Sequence, residues 1–240
     1  MESLNSVKFV TLTNNGYIDY TLNCLKSLEL INFQKPLHCY TLGEESHNIL
    51  QSKGYKSSML KTDNDDDTKF GKYRTGNWHN IVKKKFDLIH NELIKNKFVC
   101  FTDGDIVYLN KDFMNYCLES ISEHDMLIQN DSLNDEGRYN LCSGFMFIKS
   151  SEKTIDLFNP KHVEKDVKPG WGDQSYINKI KNQLKVAVLP LELFPNGRYY
   201  YRSHDPSFDV DCKEPMMVHF NWLTGHSKKK KMMKHNKWYL

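Results

Sequence analysis

Two aspartates separated by one glycine, Asp103-Gly104-Asp105, are the residues of this chain best placed to do chemistry. They follow 98–102, a continuous apolar run typical of a strand buried on both faces. In an extended backbone, residues i and i+2 point to the same side, so both carboxylates can converge on one ion. Gly104 leaves room for a phosphate to approach the backbone closely. Because hard divalent cations prefer carboxylate and phosphate oxygens, the motif predicts a metal site that holds a phosphorylated substrate.

The same residues allow an alternative chemistry. An apolar strand followed by Asp103-Gly104-Asp105-Ile106-Val107 resembles the first motif of haloacid-dehalogenase-like phosphatases. That resemblance implies that Asp103 attacks phosphorus and that Asp105 acts as acid and base. That fold usually opens with this strand, whereas about a hundred residues precede it here. The later acidic motif is also poorly met, since Gly172-Asp173 lacks a second acid nearby, and the phosphatase stays the alternative hypothesis.

The elements that must position these aspartates alternate between short apolar runs and helical patterns. Strands are predicted at 7–12, 37–42, 55–60 and 98–102, and helices at 17–30, 44–53 and 78–94. This alternation predicts an α/β fold with a doubly wound sheet, whose ligands bind beyond the carboxyl ends of the strands. The second half is less regular, with strands predicted at 126–129, 144–148, 186–189 and 216–220 and helices at 152–158 and 172–181.

Length and composition restrict the classes of protein. A chain of 240 residues with 39% hydrophobic and 26% charged residues fits one globular α/β domain. Its 33 basic and 30 acidic side chains give a net charge of +3, too balanced for a protein that coats nucleic acid, and we expect no nucleic-acid partner.

The location of the protein is predicted from its cysteines and its apolar segments. The six cysteines are scattered without a Cys-x-x-Cys pair, which favours free thiols in a reducing compartment. The first residues lack the basic start and apolar run of a secretory signal, and no stretch approaches the roughly 18 apolar residues of a membrane span. These features predict a cytoplasmic protein with no transmembrane segment.

Further landmarks occur in a fixed order along the chain: Phe9-Val10-Thr11-Leu12-Thr13-Asn14 with Tyr17, Asp103-Gly104-Asp105, Ser143-Gly144-Phe145-Met146-Phe147, Gly172-Asp173-Gln174 with Asn178, Leu189-Pro190, and Val218-His219-Phe220-Asn221 with Gly225 and Lys229. This ordered set resembles the nucleotide-diphospho-sugar transferases of the GT-A fold, particularly the retaining, glycogenin-like group. The resemblance implies a Rossmann-like doubly wound mixed sheet in a single domain. Residues 1–110 would form the nucleotide-binding half, 111–225 the sugar and acceptor half, and 226–240 a basic tail.

The resemblance also implies a role for each landmark. The metal, Mn²⁺ or Mg²⁺, would be held by Asp103, Asp105 and His219, and an imidazole ligand favours Mn²⁺. The nucleotide would contact Thr11, Thr13, Asn14, Tyr17, Asp103, Gly104, Asp105, Gly225 and Lys229. The transferred sugar would contact Ser143, Gly144, Asp173 and Gln174. Asp173, Gln174 and Lys85 would be the catalytic residues.

The chain departs from the glycogenin-like pattern at two places. That group carries His-x-x-Gly-x-x-Lys, whereas Gly225 follows His219 by six residues and Lys229 is flanked by Lys228 and Lys230. Cys142 stands where that group often has Asn. The basic tail is predicted to form a lid over the diphosphate, with a solvated amphipathic helix or a membrane or nucleic-acid contact as alternatives.

Together these features predict a metal-dependent transferase with a nucleotide-sugar donor, for which the resemblance implies a UDP-sugar and retention of configuration. The acceptor could be a glycan, a protein or a small molecule.

Overall fold

Short apolar runs and the amphipathic helices between them build one central sheet. The computed structural model describes residues 3–62, 64–71, 76–133, 139–166, 172–210, 212 and 214–240, with the backbone alone at 76 and 77. The strands are β1 (Val7–Thr13), β2 (His38–Thr41), β3 (Ser57–Met59), β4 (Phe98–Thr102), β5 (Ile106–Tyr108), β6 (Met126–Asn130), β7 (Leu141–Lys149), β8 (Val186–Leu189) and β9 (Met217–His219). The helices are α1 (Ile18–Leu30), α2 (Glu44–Ser52), α3 (Gly76–Leu93), α4 (Phe113–Ser120), α5 (Glu152–Leu157), α6 (Pro160–Asp166), α7 (Asp173–Ile180), α8 (Gly197–Arg202) and α9 (Gly225–Lys234).

Within these ranges the main sheet has seven strands in the order β3-β2-β1-β4-β7-β6-β8. β1 lies parallel to β2 and β4, whereas β7 runs antiparallel to both β4 and β6. The sheet is therefore mixed, and the predicted α/β fold with a doubly wound mixed sheet is confirmed.

Both faces of the sheet are covered by apolar layers. Alternate residues of β4 point to opposite faces, so Phe98 and Cys100 join the layer with α1 and α4. Val99 and Phe101 join the layer with α3 and α7. This two-sided burial explains why the sequence of β4 is continuously apolar.

A two-stranded ribbon of β5 and β9 lies beside the main sheet. Its antiparallel register places Ile106 opposite His219. The ribbon therefore brings a histidine from the far end of the chain to the turn that carries Asp103 and Asp105. β5, α4, α6 and α8 are absent from the sequence prediction.

The C-terminal residues return to α1. The side chain of Asn23, fully buried on α1, donates to the carbonyl of Lys237 at 3.0 Å and accepts from the backbone N–H of Tyr239 at 2.6 Å. Trp238 packs edge-on against Tyr20. None of the helices in the described ranges has the length and apolar content needed to span a bilayer.

Candidate active site

A cleft of about 790 Å³ opens at one edge of the main sheet. The carboxyl ends of β1, β4 and β6 meet there, and β7, which is antiparallel, begins there. The polar and charged residues that line it include Thr13, Asn14, Tyr17, Lys85, Asp103, Asp105, Asp131, Ser143, Asp173, Gln174, His219, Asn221 and Lys228. Most of the predicted site residues are thus brought to one place.

Three of these residues form a group, named the metal group, whose side chains could hold a metal ion. One ligand atom from each of Asp103, Asp105 and His219 lies within 4.8 Å of the others. The His219 Nε2 atom is 3.3 Å from Asp105 Oδ1 and 3.9 Å from Asp103 Oδ2. The residue types suit a divalent cation, because two carboxylates and one imidazole are ligands of Mn²⁺-like ions.

Gln129 fixes the orientation of the His219 ring. The Gln129 amide nitrogen donates to the carbonyls of Phe194 and Pro195 at 3.1 and 3.0 Å, so its oxygen is the acceptor for His219 Nδ1 at 2.7 Å. His219 therefore carries a proton on Nδ1, and Nε2 faces the carboxylates. A metal-binding histidine typically has this arrangement, in which its second nitrogen donates to a fixed acceptor.

The two aspartates differ in electrostatic environment. Burial would raise the pKa of Asp105, but the Lys228 ammonium and His219 outweigh it and hold that pKa well below its ordinary value. Burial raises the pKa of Asp103, and the nearby Asp105 carboxylate adds to this effect, although Lys85 opposes it. A divalent cation between the two carboxylates would relieve their mutual repulsion.

The lysine that reaches the metal group from α9 is Lys228. Its ammonium forms an ion pair with Asp105 and donates to the Tyr17 hydroxyl at 2.8 Å. The predicted Lys229 instead lies 3.9 Å from Asp19 and over the ring of Trp238, away from the cleft. Counting Gly-x-x-Lys from Gly225 gives Lys228, and this spacing is the signal that could have found it.

Gly225 itself supports the start of α9. It adopts a φ of +50°, a value that favours glycine, and its carbonyl accepts from the Tyr20 hydroxyl at 2.8 Å. Gly225 is not among the residues that line the cleft.

Lys85 reaches the cleft from α3. Its ammonium donates to Asp173 Oδ2 at 2.8 Å and to Asp103 Oδ1 at 3.2 Å, and lies 4.4 Å from the centre of the Phe101 ring. Burial would lower the pKa of Lys85, but the two carboxylates raise it above its ordinary value. Lys85 is therefore a permanent cation that links the metal group to α7.

The predicted sugar-binding residues lie next to Lys85. Ser143 donates to Asp173 Oδ2 at 2.7 Å. Despite burial, Lys85 lowers the pKa of Asp173. A Cβ atom at Gly144 would come within 2.2 Å of the His219 ring and 2.9 Å of Asp103, so only glycine fits beside the metal group at this position.

Asp131, which follows β6, is a cleft residue that the sequence analysis missed. One of its oxygens accepts from Asn221 at 2.8 Å and from Trp222 Nε1 at 2.9 Å. The other accepts from the Gln174 amide at 2.9 Å. No motif marks Asp131, and these three partners lie 43 to 91 residues away, but its position two residues after the predicted strand 126–129 is a signal that could have placed it at the cleft.

The four residues of the first strand and turn that were predicted to contact the nucleotide divide into two groups. Thr13, Asn14 and Tyr17 line the cleft, whereas Thr11 is fully buried and lies outside its lining. The side-chain nitrogen of Asn14 donates to the carbonyls of Asp67 and Lys69, and its buried oxygen has no hydrogen-bond partner in the described part of the chain. The ring of Tyr17 stacks on Phe70 with centroids 5.6 Å apart.

The packing of Gly104 gives a second reason for a glycine at this position, besides the predicted approach of a phosphate. A Cβ atom there would lie 2.5 Å from the Thr21 hydroxyl oxygen of α1. The glycine therefore allows the Asp-Gly-Asp turn to pack against α1, in addition to bordering the cleft.

The chain matches the family model described as nucleotide-diphospho-sugar transferase over residues 37–233. The chain belongs to this family. The match and the fold together confirm the resemblance to the GT-A nucleotide-diphospho-sugar transferases.

Two relatives of named activity match the sequence. One is a UDP-galactose:fucoside alpha-3-galactosyltransferase of Dictyostelium discoideum, 22% identical over 97% of this chain and 43% of the relative. The other is UDP-D-xylose:L-fucose alpha-1,3-D-xylosyltransferase 3 of Arabidopsis thaliana, 26% identical over 67% of this chain and 47% of the relative. The chain thus spans less than half the length of either relative.

A solved structure supports the fold. The galactosyltransferase LgtC, solved in complex with donor and acceptor sugar analogues, matches with a TM-score of 0.64 at 14% identity, over 96% of this chain and 94% of LgtC.

Proposed function

We propose that this chain is a metal-dependent glycosyltransferase that moves a sugar from a UDP-sugar to a fucose-containing acceptor with retention of configuration. The observation that carries the proposal is the group of Asp103, Asp105 and His219, whose ring Gln129 orients toward the carboxylates. Membership of the family supports the reaction class.

Asp103, Asp105 and His219 would hold the metal, and the imidazole favours Mn²⁺ over Mg²⁺. When bound, a divalent ion supplies positive charge where the leaving diphosphate becomes more negative.

Lys85 and Lys228 would act on the same diphosphate from two sides. Both ammonium groups are buried and lie against the aspartates of the metal group. Unit charges about 4 Å apart interact by roughly 4 kcal/mol at an effective dielectric near 20. If such an interaction is felt only in the transition state, it accelerates the reaction by nearly three powers of ten.

The nucleoside would occupy the other end of the cleft. Asn14 lines this region, and the stacked rings of Tyr17 and Phe70 offer an aromatic surface beside it. Thr13 lines the same region.

The donor and acceptor classes come from the two relatives. Both of their names contain a UDP-sugar donor, a fucose acceptor and an α linkage. Sugars in common UDP donors are α-linked to the diphosphate, so an α product would keep the configuration of the anomeric carbon. We include retention in the proposal on that ground.

The test is the dependence of UDP release and transfer on metal. The wild-type protein, incubated with UDP-galactose or UDP-xylose, methyl α-L-fucoside and Mn²⁺, is expected to form a disaccharide. Asp103→Asn is expected to lose at least a hundred-fold in rate, since it removes a ligand and a charge. Asp209→Asn, which changes an exposed aspartate of another Asp-x-Asp pair, is the matched control.

An Asp103→Asn protein with wild-type transfer would contradict the metal role. Release of phosphate from p-nitrophenyl phosphate, lost in the same variant, would favour the phosphatase alternative, for which the family assignment gives no support.

A further inference from the structure

Trp222 has a backbone conformation that a tryptophan rarely adopts. Its φ is +66°, and the other non-glycine residues with positive φ in the described part of the chain are Asn32 and Asn236. Those asparagines directly follow the C-caps of α1 and α9, where a left-handed residue is usual. Trp222 lies in the loop between β9 and α9, and the strain of such a residue costs on the order of 1–3 kcal/mol. Strain of this kind is typical of residues held in place for binding or catalysis.

This loop is also where the chain departs from the glycogenin-like pattern. Gly225 follows His219 by six residues instead of three, so the loop is three residues longer. Trp222, Leu223 and Thr224 all line the cleft. The additional length thus changes the wall of the cleft itself.

The indole ring of Trp222 is held by two contacts. Its Nε1 donates to Asp131 Oδ1 at 2.9 Å, and the Arg198 guanidinium lies 5.2 Å from the ring centre. Trp222 nevertheless remains 51% exposed. A large aromatic surface is therefore fixed in orientation and left open to a ligand, instead of being buried in the core.

Asp131 connects this ring to the sugar end of the cleft. The same carboxylate accepts hydrogen bonds from Gln174 and Asn221. Gln174 follows Asp173, which is bonded to Ser143 and Lys85. The Trp222 ring therefore lies on the side of the predicted sugar-binding residues. The Tyr17–Phe70 pair lies on the other side, next to Lys228 of α9.

We propose that Trp222 is the stacking surface for the acceptor sugar and that it selects a 6-deoxyhexose ring. This inference rests on the proposed function. A pyranose presents C–H groups on its face, which an aromatic ring contacts, and hydroxyls at its edge, which the exposed guanidinium of Arg198 beside the same ring can bind. A 6-deoxyhexose has a methyl group in place of the C6 hydroxymethyl, which increases the apolar area that can cover the indole.

The experiment measures acceptor use and donor binding separately. Transfer from the better of UDP-galactose and UDP-xylose is followed with methyl α-L-fucoside and with methyl α-L-galactoside, which differs from it by the C6 hydroxyl. Binding of UDP with Mn²⁺ is measured by calorimetry in the same proteins.

For Trp222→Ala we expect the KM for the fucoside to rise about ten-fold, the preference for fucoside over galactoside to shrink, and UDP affinity to stay within two-fold of the wild-type value. Trp222→Phe, which keeps a ring but loses the bond to Asp131, should lie between these values.

Phe208→Ala is the matched control, because Phe208 is also exposed and also lies under an arginine of α8, Arg202, but does not line the cleft. An unchanged KM and preference in Trp222→Ala would overturn this inference alone. A wild-type protein that transfers sugar to other acceptors but not to the fucoside would overturn this inference and the acceptor class in the proposed function, and would leave the metal-dependent transfer standing. A wild-type protein that neither binds UDP in the presence of Mn²⁺ nor transfers sugar would overturn the proposed function and this inference with it.

Discussion

The side chain of Lys85 connects the two acidic parts of the cleft. It is only 6% exposed, and its ammonium bonds to Asp103 and Asp173. Loss of one partner from a buried ion pair leaves the other charge without compensation, which costs several kcal/mol. Lys85 therefore stabilises the folded chain in addition to any role toward the diphosphate.

We expect Lys85→Met to lower the free energy of unfolding by about 3 kcal/mol, a value at the low end for a broken buried pair because Asp103 is 36% exposed. Urea unfolding measures this change. The double variant Lys85→Met/Asp173→Asn should regain part of the loss, since it removes one uncompensated charge. Lys84→Met, on the same helix but outside the cleft lining, should change stability little. A double variant less stable than the single one would contradict the pairing.

Among the residues that the sequence analysis singled out, those adjacent to a strand end were placed well. Asp103, Asp105 and Ser143 lie in one cleft because strand ends meet at one edge of a sheet, and Asp173 joins them from the start of α7. Asp131 follows β6 directly, so the same reasoning applied to the predicted strand 126–129 could have placed it at the cleft, but it could not have found its partners or the roles of Gln129 and Trp222. Their roles depend on partners far along the chain and on ring orientation, and neither is encoded in local spacing.

At the level of elements, α9 shows how strongly function depends on helical register. Successive residues of a helix point about 100° apart. Lys228 therefore faces Asp105 and Tyr17, whereas its neighbour Lys229 faces Asp19 and Trp238. Because the tail has several consecutive lysines, the sequence does not show which of them faces the cleft. The packing of Met232, which is buried beneath the helix, sets the rotation of α9 and so selects Lys228.

We expect Lys228→Met to weaken the binding of UDP with Mn²⁺ at least ten-fold, because it removes the buried cation beside Asp105. Lys229→Met should bind as the wild type does. Isothermal titration of UDP into each protein in the presence of Mn²⁺ checks both outcomes. The reverse order, with Lys229→Met weak and Lys228→Met normal, would mean that α9 is rotated from its position here.

The strands and helices of the first hundred residues are predictable because each has an unbroken pattern and a sharp end. The predicted helix 78–94 corresponds to α3 (Gly76–Leu93), and the predicted strand 98–102 to β4. β5 and α8 were missed because they are short, and the three residues of β5 acquire their strand character only by pairing with β9. The antiparallel direction of β7 was likewise beyond the sequence, since its apolar pattern fits either direction.

At the scale of the whole molecule, stability should depend on pH through histidines that stay neutral in the folded state. Burial lowers the pKa of His38 to about 4, and Lys8 and Lys56 contribute. Burial likewise lowers the pKa of His235 to about 4. An unfolded histidine takes up its proton near pH 6.5. Between about pH 6.5 and 4 the unfolded chain therefore binds more protons, and stability falls as the pH falls.

We expect His38→Gln to flatten this dependence, because glutamine can still accept from Lys8 and bond to Ser58 without titrating. Urea unfolding at pH 7.5, 6.0 and 5.0 should show a smaller loss of stability on acidification in the variant than in the wild type. His226→Gln, which changes an exposed histidine, is the control. Equal slopes in His38→Gln and the wild type would show that His38 becomes protonated without penalty.

The two hydrogen bonds from Asn23 to the last residues have a mechanical consequence for α9. The helix is joined at its start to the β5–β9 ribbon and is held after its end by a buried amide of α1. A lid is the role predicted for the tail. To open, it would have to break both Asn23 hydrogen bonds and separate Trp238 from Tyr20. The segment stands as a wall of the cleft that is tied at both ends, and we expect a ligand entering beside Asp105 to displace the Lys228 side chain while the helix stays in place.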